Sequence, residues 1–499
     1  MSIYALTRVQ SFDRRLLPLA VTTIGSFMSI LDTTIVNVAL PSILQQFDAR
    51  IEMGQLVLTS YLIALAIVIP LSGFLGEKVG MKRLYMLTLL CFTIGSALCG
   101  FAWNLPSLVV FRVIQGLGGG MLQPLGMAIV FSMISPLERA RFMGFLGLPL
   151  LIAPILGPSF GGYLVEYVSW RAIFWINLPI GLLNVLLAIR LLRETPKQPA
   201  TPMDTWGFVF AAVAFPCILL GLTEGEDQGW TAALPVALLT IGATALLLFV
   251  RRELRYPQPL LRVRLFKNPM FTLALGVQFV MQFSLFGLAY LLPLFLQSVD
   301  GWGAAQVGLV LLPQGIASFI AMTSAGKLYN STGPRPLVIG GFVVMAVTTL
   351  LFTQVDQHTS AWAVTGLAAL RGVSLGLAAQ TISTVAFNTV PREHMPRATS
   401  LVNVCQRVYG SVATAILTSV LVIALQTSGA PEGSAIADRT APVPNMLTAF
   451  HVTFAVMTLM TIVGIVGAWF LRDHVLQDLQ RDGDGSRRVP KLDLEPVEA

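Results

Sequence analysis

The sequence predicts an all-α integral membrane protein, and three observations predict it. Hydrophobic residues make up 55% of the 499-residue chain and charged residues only 11%, where soluble domains run near 25% charged. The apolar residues gather into fourteen runs, each close to the ~20 residues a helix needs to cross a bilayer. The mean hydropathy is +0.75. A net charge of +7 would suit a nucleic-acid binder if it were clustered. Here the basic residues are scattered between apolar runs and read as topology signals and contacts to anionic lipid. Cys91, Cys99, Cys217 and Cys405 all fall inside runs. They read as small packing residues, not as a disulfide or zinc framework.

The runs cover approximately 16–41, 53–75, 84–102, 106–131, 142–165, 172–192, 205–222, 231–250, 270–296, 305–326, 336–355, 361–387, 398–425 and 447–471. Arg14 and Arg15 before the first run resemble the start of a signal peptide. The run is too long for one and no small-residue cleavage site follows, so it reads as an uncleaved first span. An even number of spans puts both termini on one side. The segments on that side carry Arg14, Lys78, Lys82, Arg83, Arg139, Arg190, Arg252, Lys327 and Arg397, while the opposite side holds only Arg50, Arg171 and Arg439. The positive-inside rule therefore places both termini in the cytoplasm of a multi-pass protein of the inner (plasma) membrane. The tail after Arg472 is charged, contains Gly, Pro and Asp, and is expected to be disordered. The polar stretch 426–446 reads as an external linker or flap.

An internal repeat divides the chain. Gly73-Phe74-Leu75-Gly76-Glu77-Lys78-Val79-Gly80-Met81-Lys82-Arg83 follows the second run, and Gly326-Lys327-Leu328-Tyr329-Asn330-Ser331-Thr332-Gly333-Pro334-Arg335 follows the tenth. Pro136-Leu137-Glu138-Arg139 recurs as Pro391-Arg392-Glu393-His394. The repeat implies a cytoplasmic segment over 1–15, a six-helix bundle over 16–192, two inserted spans with linkers over 193–269, a second six-helix bundle over 270–471 and a tail over 472–499. Parallel six-span repeats are a transporter architecture.

Among the 25 acidic residues, Asp32 is the only one that falls within a run. A carboxylate at membrane depth costs several kcal/mol, so it is kept only if paired, wetted or used. It is either a buried, hydrogen-bonded group or a titratable group on a transport path. Arg112, Arg371 and Arg407 are assigned to neither side and lie within runs. Asp32 and Arg112 both fall in the outer half of the membrane, which makes them candidate partners. His451 is either a second proton site, since imidazole titrates near neutral pH, or a helix-end histidine bonded to a neighbour.

Four motifs carry a resemblance over nearly the whole chain. They are Leu31-Asp32-Thr33-Thr34-Ile35-Val36-Asn37-Val38-Ala39-Leu40-Pro41 in the first run, Gly73 to Arg83 after the second, Phe111-Arg112-Val113-Ile114-Gln115-Gly116-Leu117-Gly118-Gly119-Gly120 in the fourth, and Gly157-Pro158-Ser159-Phe160-Gly161-Gly162 in the fifth. The chain resembles the fourteen-span drug:proton antiporters of the major facilitator superfamily. The resemblance implies that superfamily's fold, two six-helix bundles plus two inserted helices. It implies proton coupling at Asp32 with help from Arg112, and a cytoplasmic latch at Gly73, Glu77, Gly80 and Arg83. In that latch Glu77 stands where Asp is usual. It also implies an antiporter motif at Gly157, Pro158, Gly161 and Gly162, whose glycines permit close helix packing.

The expected activity is proton-coupled export of amphipathic small molecules by alternating access, in the manner of multidrug efflux. The alternative is dedicated export of one metabolite, siderophore, antibiotic or lipid by the same mechanism. No HExxH or GxxxxGK[ST] motif occurs, so neither metalloenzyme chemistry nor ATP-driven transport is expected. No cofactor is expected, and the proton gradient is the energy source. Protons, membrane lipids and the substrates are the expected partners of a monomer, with a periplasmic adaptor where the host has an outer membrane. Phe27, Gln115, Gln278, Gln282, Phe286, Gln314, Arg371, Gln380 and Arg407 are candidates to line an apolar cavity with a few polar groups. Each Gln has the alternative of bonding neighbouring helices together. The absence of further acids in the C-terminal runs points away from dications, toward neutral, monocationic or anionic compounds.

Overall fold

Within a bilayer no water satisfies backbone N–H and C=O groups, so apolar runs must close their hydrogen bonds internally. The computed structural model describes residues 16–49, 51–134, 138–139, 142, 146–195, 203–431 and 441–473, and the backbone there is almost wholly helical. The segments 1–15, 432–440 and 474–499 lie outside the described residues.

The helices are α1 (Leu16–Phe47), α2 (Ile51–Val79), α3 (Met81–Gly100), α4 (Leu105–Met133) and α5 (Leu148–Tyr167). They continue with α6 (Ala172–Leu191), which is broken briefly near Ile176. Then come α7 (Thr205–Gln228), α8 (Ala233–Arg255), α9 (Pro269–Ser298), α10 (Ala304–Thr332), α11 (Pro334–Phe352), α12 (Ala361–Asn388), α13 (Met395–Thr427) and α14 (Val443–Trp469). Thirteen spans among the described residues are long and apolar enough to cross a membrane, and α5 adds a twenty-residue helix.

Local chemistry sets the starts. The Asn104 side chain accepts from the Ser107 N–H at 2.8 Å, and Ser107 returns the bond, so α4 opens on a capping box with proline in its first turn. The Asn268, Asp204 and Ser360 side chains cap α9, α7 and α12 by accepting first-turn N–H groups. Several helices outrun their apolar cores. The motif's residues Gly76 to Val79, beyond the second run, continue α2, and Gly80 alone turns the chain at φ 100°. Gly333, 253 residues later, makes the matching turn at φ 77°. Only glycine takes such angles without strain.

Packing follows the repeat. α2 lies along α4 as α10 lies along α12, and α1 meets α5 as α9 meets α13. The two halves touch through α2 with α13 and through α5 with α10. The inserted α7–α8 hairpin pairs with itself, and α7 rests on α2 and α13, at one seam between the halves. Buried Glu253 near the end of α8 accepts the N–H groups of Leu260 and Leu261 at 3.0 and 2.9 Å, which folds the following linker back on the helix. Large apolar side chains such as Leu247 and Leu459 stay exposed, as does Trp362, 85% exposed. A lipid-facing surface carries such groups, with Trp toward its edges.

Candidate proton and substrate site

Asp32 lies midway along α1 and is 1% exposed. Arg112 of α4, equally buried, donates from Nη1 to Asp32 Oδ2. The same nitrogen donates to Gln115 Oε1 at 2.9 Å, and Gln115 Nε2 donates to Asp32 Oδ1 at 2.8 Å. The helix brings Arg112 and Gln115 to one face because they stand three residues apart. Asn177 of α6 reaches Asp32 Oδ1 at 3.5 Å and Ser96 of α3 at 3.0 Å. The Arg112 Nε donates to the Val57 carbonyl at 3.2 Å, and its guanidinium lies 4.1 Å from the centre of the Tyr61 ring. Both charges are thus removed from water but fully engaged, the condition under which a buried pair survives.

The glycines of the fifth-span motif press α5 against the turn of α1 just beyond Asp32. A Cβ on Gly157 would fall 2.1 Å from Thr34 Oγ1, and one on Gly161 would fall 2.6 Å from the Ile35 side chain. Gly162 has room, with Val38 4.0 Å away. Pro158 lies within α5 and its side chain is outside the described residues.

At the basic end of the bundle the halves are joined. Arg397 at the start of α13 donates from Nε and Nη2 to Glu77 Oε2 of α2, at 2.9 and 2.6 Å, and from Nη1 to the Pro259 carbonyl at 2.7 Å. Both side chains are buried. Ser72 and Ser400 share a hydrogen bond of 2.7 Å, and a Cβ on Gly73 would meet the Pro396 carbonyl at 2.7 Å. Buried Arg139 donates to the Phe387 carbonyl at 2.7 Å, while Phe131 packs on Phe387 at 4.8 Å. Burial and the nearby Arg392 push the Arg139 guanidinium down to about 10. Arg83 does not take part in this closure: it is exposed and sits 3.6 Å from Glu194, just past the end of α6 and beside Gly80. Sequence reasoning assigned Arg397 to the loop charges and missed its pairing with Glu77.

The cavity candidates divide. Gln115 is bound to Asp32, and Arg371 is wholly buried. Gln278 is buried against Ser383 at 3.4 Å, and Gln282 is 9% exposed. The Gln314 carbonyl lies on Gly372, and the Gln380 amide on Gly147. Phe27 and Arg407 are half-buried, and Phe286 is 40% exposed. His451 bonds the Val355 carbonyl at 2.9 Å.

The second half holds a counterpart of the Asp32 site with its charge changed. Arg371 of α12 donates from Nη2 to both the carbonyl and hydroxyl of Ser284 on α9, each at 2.7 Å, and from Nη1 to Thr349 on α11. Ser284, Thr349 and Arg371 stand 252, 253 and 256 residues after Asp32, Ser96 and Gln115. By those offsets a serine corresponds to the carboxylate and an arginine to the glutamine. The sequence reading did not pair these residues; the repeat offset is the signal that could have found them.

Residues 22–414 match the family model of the Major Facilitator Superfamily. The chain is 32% identical over 428 residues to the uncharacterized MFS-type transporter YhcA of Bacillus subtilis, covering 86% of this chain and 80% of the relative. It is 31% identical over 480 residues to the multidrug resistance protein B homolog of Mycobacterium tuberculosis, covering 90% and 89%. It is 30% identical over 433 residues to the multidrug transporter protein MdtP of B. subtilis, covering 87% and 79%. The crystal structure of the human organic anion transporter MFSD10 (TETRAN) superposes with a TM-score of 0.63 at 13% identity, over 91% of this chain and 99% of that one, which shows a shared fold. The chain belongs to the Major Facilitator Superfamily of membrane transporters.

Proposed function

We propose that this transporter is a proton-driven exporter, exchanging inward-moving protons for outward-moving amphipathic small molecules by alternating access. The observation that carries the reading is Asp32, a carboxylate buried in the middle of α1 and tied to Arg112, Gln115 and Asn177. An ionisable group at membrane depth is by default a functional-site candidate. Protonation removes the charge against which Arg112 is held, so it alters the network joining α1, α4 and α6. The glycine seam transmits movement of α1 to α5, because Gly157 leaves no slack beside Thr34. α5 in turn contacts α10 of the other half.

Placing the basic end in the cytoplasm follows from the distribution of Lys and Arg. The joined halves there support an outward-facing assignment for this conformation, with Glu77–Arg397 as the latch. Relatives named for multidrug and lincomycin resistance support a broad range of drug-like substrates. The test is reconstitution in proteoliposomes with an imposed pH gradient and a panel of amphipathic dyes. Uphill dye movement that collapses with the gradient supports exchange. Dye movement indifferent to the gradient would exclude it.

A further inference from the structure

Arg407 lies near the middle of α13, the helix through which the second half meets α2. The residues before it, from Met395 to Val404, are buried, whereas Arg407 is half-buried. Among the described residues no hydrogen bond or ion pair holds its guanidinium, although Tyr61 of α2 lies within its electrostatic reach. An arginine at that depth costs several kcal/mol unless something neutralises or wets it.

An aromatic surface meets α13 one turn further along. The Phe286 ring rests on Gly410, one turn along α13, at 2.8 Å from where a Cβ would stand, and is 40% exposed. Tyr290, one turn further along α9, is 37% exposed. Arg407 and Phe286 thus offer a cation one turn of α13 from an apolar ring, which suits a flat molecule with a negative group at its edge.

The surrounding charges favour the same sign. The carboxylates buried in the described spans are already engaged: Asp32 by Arg112, Glu77 by Arg397, and Glu253 by two backbone N–H groups. The position in the second half equivalent to Asp32 is Ser284, which is held by a further buried cation, Arg371. A cationic substrate therefore meets no unengaged buried carboxylate there, while an anionic one neutralises Arg407.

We propose that Arg407 with Phe286 forms a subsite for the acidic group of an aromatic amphiphile, so that the preferred substrates are organic anions bearing a carboxylate or sulfonate. The proposal rests on the export reading for the transport step but not for binding. Fluorescein, an anion at neutral pH, and rhodamine 123, a cation with the same xanthene core, form a matched pair of probes. Polarisation measurements on the purified full chain should show fluorescein bound at least about tenfold more tightly than rhodamine 123. Arg407→Gln should abolish that preference by weakening fluorescein binding alone, Arg407→Glu should reverse it, and Arg407→Lys should retain part of it. Each variant is compared at matched thermal unfolding midpoint. Equal or tighter binding of rhodamine 123 by the wild type, or an unchanged preference in Arg407→Gln, would overturn the proposal. A proteoliposome arm separates it from the export reading. Fluorescein driven uphill equally well by the wild type and by Arg407→Gln would leave exchange standing and remove the anion subsite. Arg407-dependent fluorescein binding with no gradient-driven movement would do the reverse.

Discussion

Breaking the Glu77–Arg397 pair should open the basic end of the transporter. Arg397 is 4% exposed and spends two of its nitrogens on one Glu77 oxygen. Glu77→Ala leaves the guanidinium in place with only the Pro259 carbonyl as partner. Removing one member of a buried pair costs about 3–5 kcal/mol. That cost falls on the state in which the halves are joined, because the two residues belong to different halves. At about 1.4 kcal/mol per tenfold, the ratio of closed to open states falls by roughly two to three and a half powers of ten. Glu77→Gln, which keeps an acceptor but no charge, should fall by less. The assay uses Ser400→Cys in a background in which Cys91, Cys99, Cys217 and Cys405 are replaced by alanine. Ser400 is fully buried against Ser72, so a membrane-impermeant maleimide applied from the basic side labels it only on opening. Labelling should accelerate at least about tenfold in Glu77→Ala. An unchanged labelling rate, with the thermal midpoint also unchanged, would refute the latch.

Other expectations follow from single contacts. Gly157→Ala should already slow transport, and Gly157→Leu should abolish it, because a Cβ 2.1 Å from Thr34 Oγ1 must push α5 from α1. Insertion and thermal midpoint near wild type with normal coupled efflux would sink the idea that this seam moves with α1. Asp300, between α9 and α10, is pushed up to about 6 by burial and by Asp356, and its Oδ1 has no hydrogen-bond partner. The folded protein therefore binds the Asp300 proton more tightly than the unfolded chain, whose value is 3.8. Stability falls as pH rises between those values, and the penalty is fully present at neutral pH. Asp300→Asn should stabilise by on the order of 1 kcal/mol at neutral pH, after allowance for partial exposure. It should give nothing below the lower value, as read from unfolding midpoints at the two pH values.

The spans were legible because hydrocarbon admits few alternatives to an apolar helix, and the repeat because Gly80 and Gly333 serve the same turn. Helix ends were less legible. Glu77 extends α2 beyond its apolar run because the other half supplies Arg397 as a partner, and no local pattern announces a contact 320 residues away. Asp32 stood out in the sequence as a charge in an apolar run. Gln115 and Asn177 did not stand out as its companions, since a polar amide in a span reads equally as helix glue or cavity wall. Arg371 illustrates the same limit: only the offset to Gln115, joined with its bonds to Ser284, identifies it as part of a second, altered copy of the site.

The most direct test of the account is the Asp32→Asn variant in proteoliposomes, with pH-gradient-driven dye transport and gradient-free exchange measured on the same preparation. Asparagine keeps the size and one acceptor oxygen, so it retains one of the two bonds from Gln115 and Arg112, and it has no carboxylate to take up a proton. The account predicts that uphill transport disappears while substrate binding and downhill exchange persist. Uphill transport by Asp32→Asn at the wild-type rate would contradict the assignment of proton coupling to Asp32.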